Sequence, residues 1–170
     1  MIPHRSAVVP ALLACLLLVA GCTAPDAAAP PTGNVSVTVH NDADRAYDVS
    51  LLLVTGSLDG VDVTYRNGTE RTVAVAAPAA LPRGALDGAT NVTVRSGAVE
   101  RHDYRLPPGS GRGATYEVPD RNATVVYTLA PAGGPVRAWG TTTCSASPTL
   151  ELAITIGSDG ANHVATTCRD

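Results

Sequence analysis

Lysine and phenylalanine are absent from this chain of 170 residues, and tryptophan occurs only once. All 12 basic residues are therefore arginines, which excludes a Schiff-base lysine, a P-loop lysine and a kinase-type lysine. The formal net charge is −3 and the chain has no basic run, so we expect no nucleic-acid partner. Because aromatic residues make up only 4% of the chain, the core must consist mainly of Val, Leu, Ala and Ile.

The N-terminal segment has the three parts of a secretory signal peptide. Residues 1–5 carry a positive charge at Arg5, residues 7–20 form an apolar run, and Ala20 and Gly21 supply the small residues of a cleavage region. A helix that crosses a bilayer needs about 20 apolar residues, so an uncleaved anchor helix is the less favoured alternative. The sequence therefore predicts a cleaved signal peptide over residues 1–21.

The end of this leader contains a cysteine in a specific context. The sequence VAGC, which ends at Cys22, resembles the lipobox of prokaryotic lipoproteins. The resemblance implies that the leader is cut just before Cys22 and that its thiol is acylated, with two acyl chains needed for stable anchoring. A chance cysteine behind a secretion signal is the alternative. Residues 22–33, which start at this cysteine and are rich in Pro and Ala, are then a tether that spans at most about 35 Å.

From residue 34 onward, apolar and polar residues alternate. The stretch NVSVTVH places Val35, Val37 and Val39 on one face, which predicts a half-buried strand. Similar segments, separated by turn residues, follow to the C-terminus. This spacing predicts an all-β antiparallel sandwich of about 8–10 short strands over residues 34–170. The pattern is similar to immunoglobulin-like domains of surface lipoproteins in high-GC, often salt-loving archaea, and this resemblance implies an immunoglobulin-like fold.

Three local predictions concern the connections between these strands. Around Asn67-Gly68, a three-residue loop over residues 66–68 pairs Val61 with Val73 and keeps the apolar residues on one face, which a two-residue loop does not. Residues 91–106 are predicted to form the next hairpin. The glycine-rich stretch PPGSGRG, residues 107–113, is predicted to be a flexible loop.

Two cysteines remain after Cys15 leaves with the leader and Cys22 is assigned to the anchor. Cys144 and Cys168 lie at the ends of predicted strands in an exported domain, which favours a disulfide over two buried free thiols. A metal site is not favoured, because the chain has no CxxC or HxH sequence. Trp139 is expected to fill the core near this bridge, with a ligand platform as the alternative.

Four stretches fit the acceptor sequence for N-glycosylation, N-x-[ST]. This number exceeds what the composition alone would give, and each asparagine lies in a loop or begins a strand on its polar face. The alternative is that Asn favours turns and Thr favours strands, which inflates the count. The candidate sites are Asn34, Asn67, Asn91 and Asn122.

Candidate catalytic and metal-binding groups are sparse. Asp42, Asp44 and Asp48 share one turn, but this turn lacks the glycine and the closing glutamate of an EF-hand, so a polar loop is the preferred interpretation. His102 and Asp103 are neighbours in a predicted strand and should point to opposite faces, which makes them a poor catalytic dyad. We therefore name no catalytic residue and expect no cofactor and no bound metal.

These observations together predict a lipoprotein held at the outer face of the cell membrane by Cys22. We expect a non-catalytic surface or structural module whose first partner is the membrane, with other envelope proteins as further candidates. A lipoprotein that binds a small ligand or a metal ion, with the three aspartates as the candidate cluster, is the second hypothesis. An enzyme is the third, because no nucleophile and base, or pair of carboxylates, can be named.

Overall fold

The computed structural model describes residues 32–75, 81–95, 98–119, 123–145 and 147–170. Within these residues it contains strands and turns but no helix. The predicted signal peptide, Cys22 and Asn122 lie outside the described residues. The eleven strands are β1 (Gly33–Asn41), β2 (Tyr47–Thr55), β3 (Gly60–Tyr65), β4 (Glu70–Ala74), β5 (Ala89–Arg95), β6 (Ala98–Leu106), β7 (Ser110–Val118), β8 (Thr124–Pro131), β9 (Ala138–Thr143), β10 (Thr149–Ile156) and β11 (Asn162–Arg169).

The strands form three sheets. The base sheet has the order β11-β10-β1-β7, the central sheet β6-β2-β8-β9 and the outer sheet β4-β3-β5. One hydrophobic core lies between the base and central sheets, and a second lies between the central and outer sheets. The predicted all-β sandwich is confirmed, and a third sheet adds a layer to the two that form a sandwich.

The central sheet is buried on both faces, which explains an uninterrupted apolar run in β2. Leu51 and Leu53 belong to the first core, whereas Leu52 and Val54 belong to the second. All four are at most 2% exposed. A strand that is covered on both sides needs apolar residues at every position, so it loses the alternation of a half-buried strand.

Strand β1 lies inside the base sheet and shows the predicted alternation. Val35, Val37 and Val39 are 1–2% exposed and face the first core. The strand pairs antiparallel with β7 but parallel with β10. The expectation of an antiparallel sandwich is therefore wrong at this one pairing, because alternation specifies which residues face the core but not the direction of the neighbouring strand.

The β3–β4 hairpin has the predicted three-residue loop. Val61 pairs with Val73, and the Tyr65 amide donates to the Thr69 carbonyl at 2.9 Å. Gly68 has a φ of 79°, a conformation that glycine adopts without the steric cost of a Cβ. This agreement shows that the pairing of apolar faces was sufficient to choose the loop length.

The predicted hairpin over residues 91–106 is wrong. Strand β5 pairs with β3 in the outer sheet, and β6 pairs with β2 in the central sheet. The chain therefore changes layers between these two strands. Both segments have the period of a strand, but nothing in that period shows that their partners lie in different sheets.

The glycine-rich stretch is mostly strand and not a flexible loop. Only Pro107–Gly109 connects β6 to β7, and the following residues pair with β1. A Cβ on Gly111 would lie 3.0 Å from Cδ2 of His40 on β1. Glycine at this position therefore permits a close approach of two strands.

The base sheet has two chemically different ends. At the first end, which we call the tether end, Gly33 pairs with Val118 and the Asn34 amide donates to the Pro148 carbonyl at 2.7 Å. Arg169, which pairs with Thr149, lies at the same end. The opposite end, which we call the loop end, carries the connections that follow β1, β6 and β10.

Candidate functional site

The three aspartates of the proposed metal cluster do not converge. The carboxylate of Asp42 lies 2.8 Å from Nδ1 of His40, and that of Asp44 lies 3.2 Å from Nε of Arg45. Asp48 instead accepts a hydrogen bond from the Gly133 amide at 3.0 Å. In the part of the chain that the structure describes, no group of three His, Cys, Asp or Glu side chains is placed to hold a metal ion.

A polar groove lies between the central and outer sheets. Its volume is about 480 Å³, which is in the range of small-molecule sites. Strands β2 and β6 of the central sheet contribute Ser50, Arg101 and Asp103, and β5 of the outer sheet contributes Asn91 and Val92. The groove is thus built by two layers that meet along β5 and β6.

Arg101 connects the two layers across this groove. Its Nε donates to both carboxylate oxygens of Asp103 at 3.0 and 2.9 Å, and its Nη2 donates to Oγ of Ser50 at 3.2 Å. Its Nη1 crosses to the outer sheet and donates to the Val92 carbonyl at 3.0 Å. The guanidinium therefore uses its fork of donors to hold the central sheet against the outer sheet.

The environment of Asp103 fixes its charge. Burial alone would raise the pKa of the Asp103 carboxyl, but hydrogen bonds from Arg101 and Ser50 and the charge of Arg101 outweigh burial and lower the pKa. The carboxylate is therefore ionised at neutral pH and held by its partners. This arrangement suits a structural ion pair better than a general base, whose pKa should lie near the working pH.

Asp48 and Arg105 form the more open part of the groove. Oδ1 of Asp48 lies 3.8 Å from Nε of Arg105, and the Arg105 side chain is 69% exposed. This loose pair offers one anionic and one cationic group to a small ligand. The groove was not predicted from the sequence, although Arg101, Asp103 and Arg105 have the period of two that places them on one face of a strand.

His102 lies on the opposite face of β6, as the alternation predicted. Its ring stacks on Tyr116 with the centroids 4.1 Å apart, and its Nε2 lies 2.9 Å from Oε1 of Glu100. Tyr104 follows His102 by two residues on the same face of β6, and its ring centroid lies 4.3 Å from the guanidinium carbon of Arg112. Burial raises the pKa of Tyr104, Arg112 opposes this rise and Glu100 adds to it. These contacts join the facing edges of the central and base sheets.

The structure contains the predicted disulfide between Cys144 and Cys168. Their Cα atoms are 5.7 Å apart, and the bridge joins the residue after β9 to the edge strand β11 at the tether end. The expected position of Trp139 is wrong. Its side chain packs against the second core and donates to Asp87 at 3.2 Å, whereas Cys144 belongs to the first core.

The three described sequon asparagines are all exposed but differ in their contacts. Asn67 lies in the β3–β4 loop, where its Oδ1 accepts a hydrogen bond from the Thr69 amide at 2.9 Å. Oδ1 of Asn91 lies 3.4 Å from Nη1 of Arg101 at the groove. Asn34 begins the exposed face of β1 at the tether end. Of these, Asn67 projects from a turn, where a glycan would displace no other contact.

At the loop end, a buried asparagine organises the connections. The side-chain amide of Asn41 donates to the carbonyls of Arg45, Leu106 and Pro107 at 2.9, 3.0 and 3.1 Å, and its Oδ1 accepts from the Ala43 amide. Beside this residue is a cleft of about 310 Å³ formed by the connections that follow β1, β8 and β10. Asn41 was not singled out in the sequence, because Asn is common in turns and this one follows a regular alternation.

The family described as "Halobacterial Ig domain protein" matches residues 1–170. The chain belongs to the halobacterial Ig domain family. Membership agrees with the immunoglobulin-like fold and the archaeal origin that the family resemblance implied. No curated protein shows significant sequence similarity to this family member. Within its described residues, no helix has the length and apolarity to span a membrane.

Solved structures with some similarity to this chain include the following two. The type VI secretion lipoprotein TssJ1 from Pseudomonas aeruginosa is 13% identical, with a TM-score of 0.44 over 82% of this chain and 100% of that one. The human-specific toxin intermedilysin is 11% identical, with a TM-score of 0.36 over 81% of this chain. This chain spans only 24% of the toxin's length.

Proposed function

We propose that this halobacterial Ig domain protein is a lipid-anchored, non-catalytic module on the outer face of the cell membrane. The anchor is the acylated Cys22, residues 23–32 are the tether, and the sandwich that begins with β1 is the exposed domain. Its partners are the membrane and, at the loop end, other proteins of the envelope. The proposal joins the lipobox-like sequence VAGC to the family membership and to the direction of the chain in the fold.

The observation that carries this proposal is the polarity of the sandwich. The chain enters β1 at Gly33, and the disulfide and the last strand residue, Arg169, lie at this same end. An anchor at Cys22 would therefore hold the domain by its cross-linked end. The loop end, where Asn41 fixes the connections, would face away from the membrane as a preorganised surface.

Membrane fractionation of two cysteine variants tests the anchor. In a detergent phase-partitioning experiment, we expect the wild type and Cys15→Ala to enter the detergent phase. Cys22→Ala should stay in the aqueous phase, because it cannot be acylated. Cys15 is the matched control because it lies in the same leader but outside the lipobox-like sequence. Equal detergent partitioning of wild type and Cys22→Ala would contradict the proposal.

A second candidate function is the binding of a small zwitterion, and the groove favours it. Asp48 and Arg105 present opposite charges at 3.8 Å without closing a tight ion pair. An α-amino acid carries an ammonium group and a carboxylate that complement these two side chains. Leu52 and Val136 line the same groove and would accommodate a short aliphatic side chain.

Thermal unfolding with free amino acids tests this second function. We expect glycine or alanine at millimolar concentration to raise the Tm of the wild type, since ligands that bind only the native state stabilise it. The Arg105→Gln variant should lose this rise. Arg45→Gln, whose side chain is exposed at the loop end, should retain it. An unchanged Tm in the wild type would exclude the zwitterion.

A further inference from the structure

Strand β11 is an edge of the base sheet that is left open. It pairs with β10 on one side, and among the described residues no strand pairs with its other side. Seven of its eight residues are exposed. Residues 163–168 read HVATTC and include no proline, glycine, arginine, aspartate or glutamate. Natural edge strands usually carry charged residues or proline that prevent pairing with another chain, so β11 is an unprotected edge.

The other edges of the three sheets are shorter, charged or in contact with a neighbouring layer. Strand β4 has five residues, which include Glu70 and Arg71, and β9 has six. At β5, the Val92 carbonyl accepts a hydrogen bond from Arg101. The edges β6 and β7 contact each other through stacked and cation–π side chains. Among the described strands, β11 is therefore the edge best suited to pair with a further strand.

The backbone groups on this open edge belong to residues whose side chains face the first core. The Gly157 amide donates to the Ala161 carbonyl at 2.7 Å, and bonded and non-bonded pairs alternate along an antiparallel ladder. Three pairs further on, Val164 lies opposite Ile154 in a non-bonded pair. The amide and carbonyl of Val164 therefore point away from β10, toward the open edge. Its side chain lies on the face of the sheet that Ile154 presents to the core, yet it is 41% exposed.

A second copy of β11 complements this edge in one antiparallel register. When Val164 lies opposite Val164 of the second copy, both side chains fall on the core-facing side and extend the row of Ile154. Their amides and carbonyls then face each other and can exchange two hydrogen bonds. The two strands pair over residues 162–166, so each ladder continues into the other copy.

The same register brings opposite charges together on the solvent face. Arg169 of one copy comes level with Asp159 in the β10–β11 turn of the other, and both residues are exposed. Arg169 already contacts Glu151 at 3.0 Å, but a guanidinium has donors for a second carboxylate. A register centred on Ala165 would instead place Arg169 opposite Ala161. Charge complementarity therefore favours the valine-centred register.

We propose that two copies of this chain form a symmetric dimer in which their β11 strands pair antiparallel about Val164. The two base sheets then form one sheet with the four strands of each copy, and each Val164 covers the other. Two short strands bury less surface than a standard protein interface, so we expect a weak dimer whose amount depends on concentration. The pairing does not depend on acylation of Cys22, and it leaves the loop end free for other partners.

Sedimentation of the full-length protein in detergent measures the dimer. We expect the wild type to shift from monomer to dimer as its concentration rises, and Val164→Asp to weaken the dimer about tenfold, because two carboxylates would face each other. Val164→Leu should dimerise like the wild type. Val99→Asp is the matched control, since Val99 is also 41% exposed but lies on β6, and it should keep the dimer. A wild type that stays monomeric, or a Val164→Asp variant that dimerises normally, would overturn the proposal.

Oxidative cross-linking tests the register even where a variant changes stability. Val164→Cys should form a disulfide between copies, because its two Cα atoms are the pair that meets at the symmetry axis. Ala165→Cys is the control, since in this register its two Cα atoms lie about 8 Å apart, beyond the reach of a disulfide. The wild type shows any links through the native cysteines. Links in Ala165→Cys but not in Val164→Cys, or in neither variant, would overturn the proposed pairing.

Discussion

The side-chain amide of Asn41 donates a hydrogen bond to the Leu106 carbonyl at 3.0 Å, and Asn41 is completely buried. Two further carbonyls, of Arg45 and Pro107, share the same amide. This one side chain therefore fixes the connection after β1 to the connection after β6. Buried carbonyls without a donor are costly, so Asn41 stabilises the loop end by preventing several unsatisfied groups at once.

Replacing Asn41 should destabilise the whole domain. We expect Asn41→Ala to lower the free energy of unfolding by about 2–4 kcal/mol, because it leaves buried acceptors unpaired and creates a cavity. Denaturant unfolding measures this loss. In protein made without glycosylation, Asn34→Ala on the exposed face of the same strand should change the stability by less than about 0.5 kcal/mol. A similar small change for Asn41→Ala would refute the role of this residue.

The disulfide should contribute more than any single exposed contact. It closes a loop with a sequence separation of 24 residues, and the chain-entropy relation assigns about 3.5 kcal/mol to a loop of this length. The double variant Cys144→Ala/Cys168→Ala should lose about this amount in denaturant unfolding. Wild type unfolded in the presence of a reductant is the control and should match the variant. A loss below about 1 kcal/mol would show that β11 is held by its pairing with β10 alone.

The ion pair between Arg101 and Asp103 should make the stability of the domain depend on pH in the acidic range. Because the pKa of Asp103 is lowered in the fold, its ionised form stabilises the native state above the ordinary value of 3.8. This contribution disappears as the pH falls below 3.8 through the folded-state pKa. Asp103→Asn should therefore lose less stability than the wild type between pH 5 and pH 2 in thermal unfolding scans. The same loss of stability with pH in the two proteins would show that the ionised form of Asp103 does not stabilise the fold.

Among the sequons, Asn67 should be modified first. Its Oδ1 already accepts a hydrogen bond from Thr69, the third residue of the sequon, and the loop is exposed. In protein from a glycosylating host, Thr69→Ala should remove one glycan from the intact mass. Thr69→Ser keeps the acceptor sequence and should keep the glycan. The same attached glycan mass in Thr69→Ala as in the wild type would mean that Asn67 is not used.

The sequence was sufficient to predict most strands and the register of one hairpin, but not which sheet each strand joins. Alternation identified the buried face of β1, and the apolar pairs gave the β3–β4 loop. The third sheet was not predicted, although the uninterrupted run from Leu51 to Val54 is the pattern of a strand covered on both faces. The predicted pairing of β5 with β6 was wrong for the same physical reason, since periodicity contains no information on which sheet a strand joins.

The candidate site was predicted even less completely, because its residues meet only through long-range pairing. Arg101 reaches Val92 and Ser50 from different strands, and the three sequence segments have no local relationship. By contrast, Cys144 and Cys168 could be paired by elimination, since only two cysteines remained in the domain. The position of Trp139 depends on which of the two cores its face of β9 packs against. To predict that core, one must know the order of the sheets.

The intact mass of the protein extracted from membranes decides whether Cys22 is its lipid anchor. We expect a mature chain that begins at residue 22, with the added mass of two acyl chains on that residue and with the Cys144–Cys168 bridge intact. Any glycans would add their own increments to the same spectrum. An unmodified chain that begins at Met1, or a mature chain without acyl mass on Cys22, would show that Cys22 is not a lipid anchor.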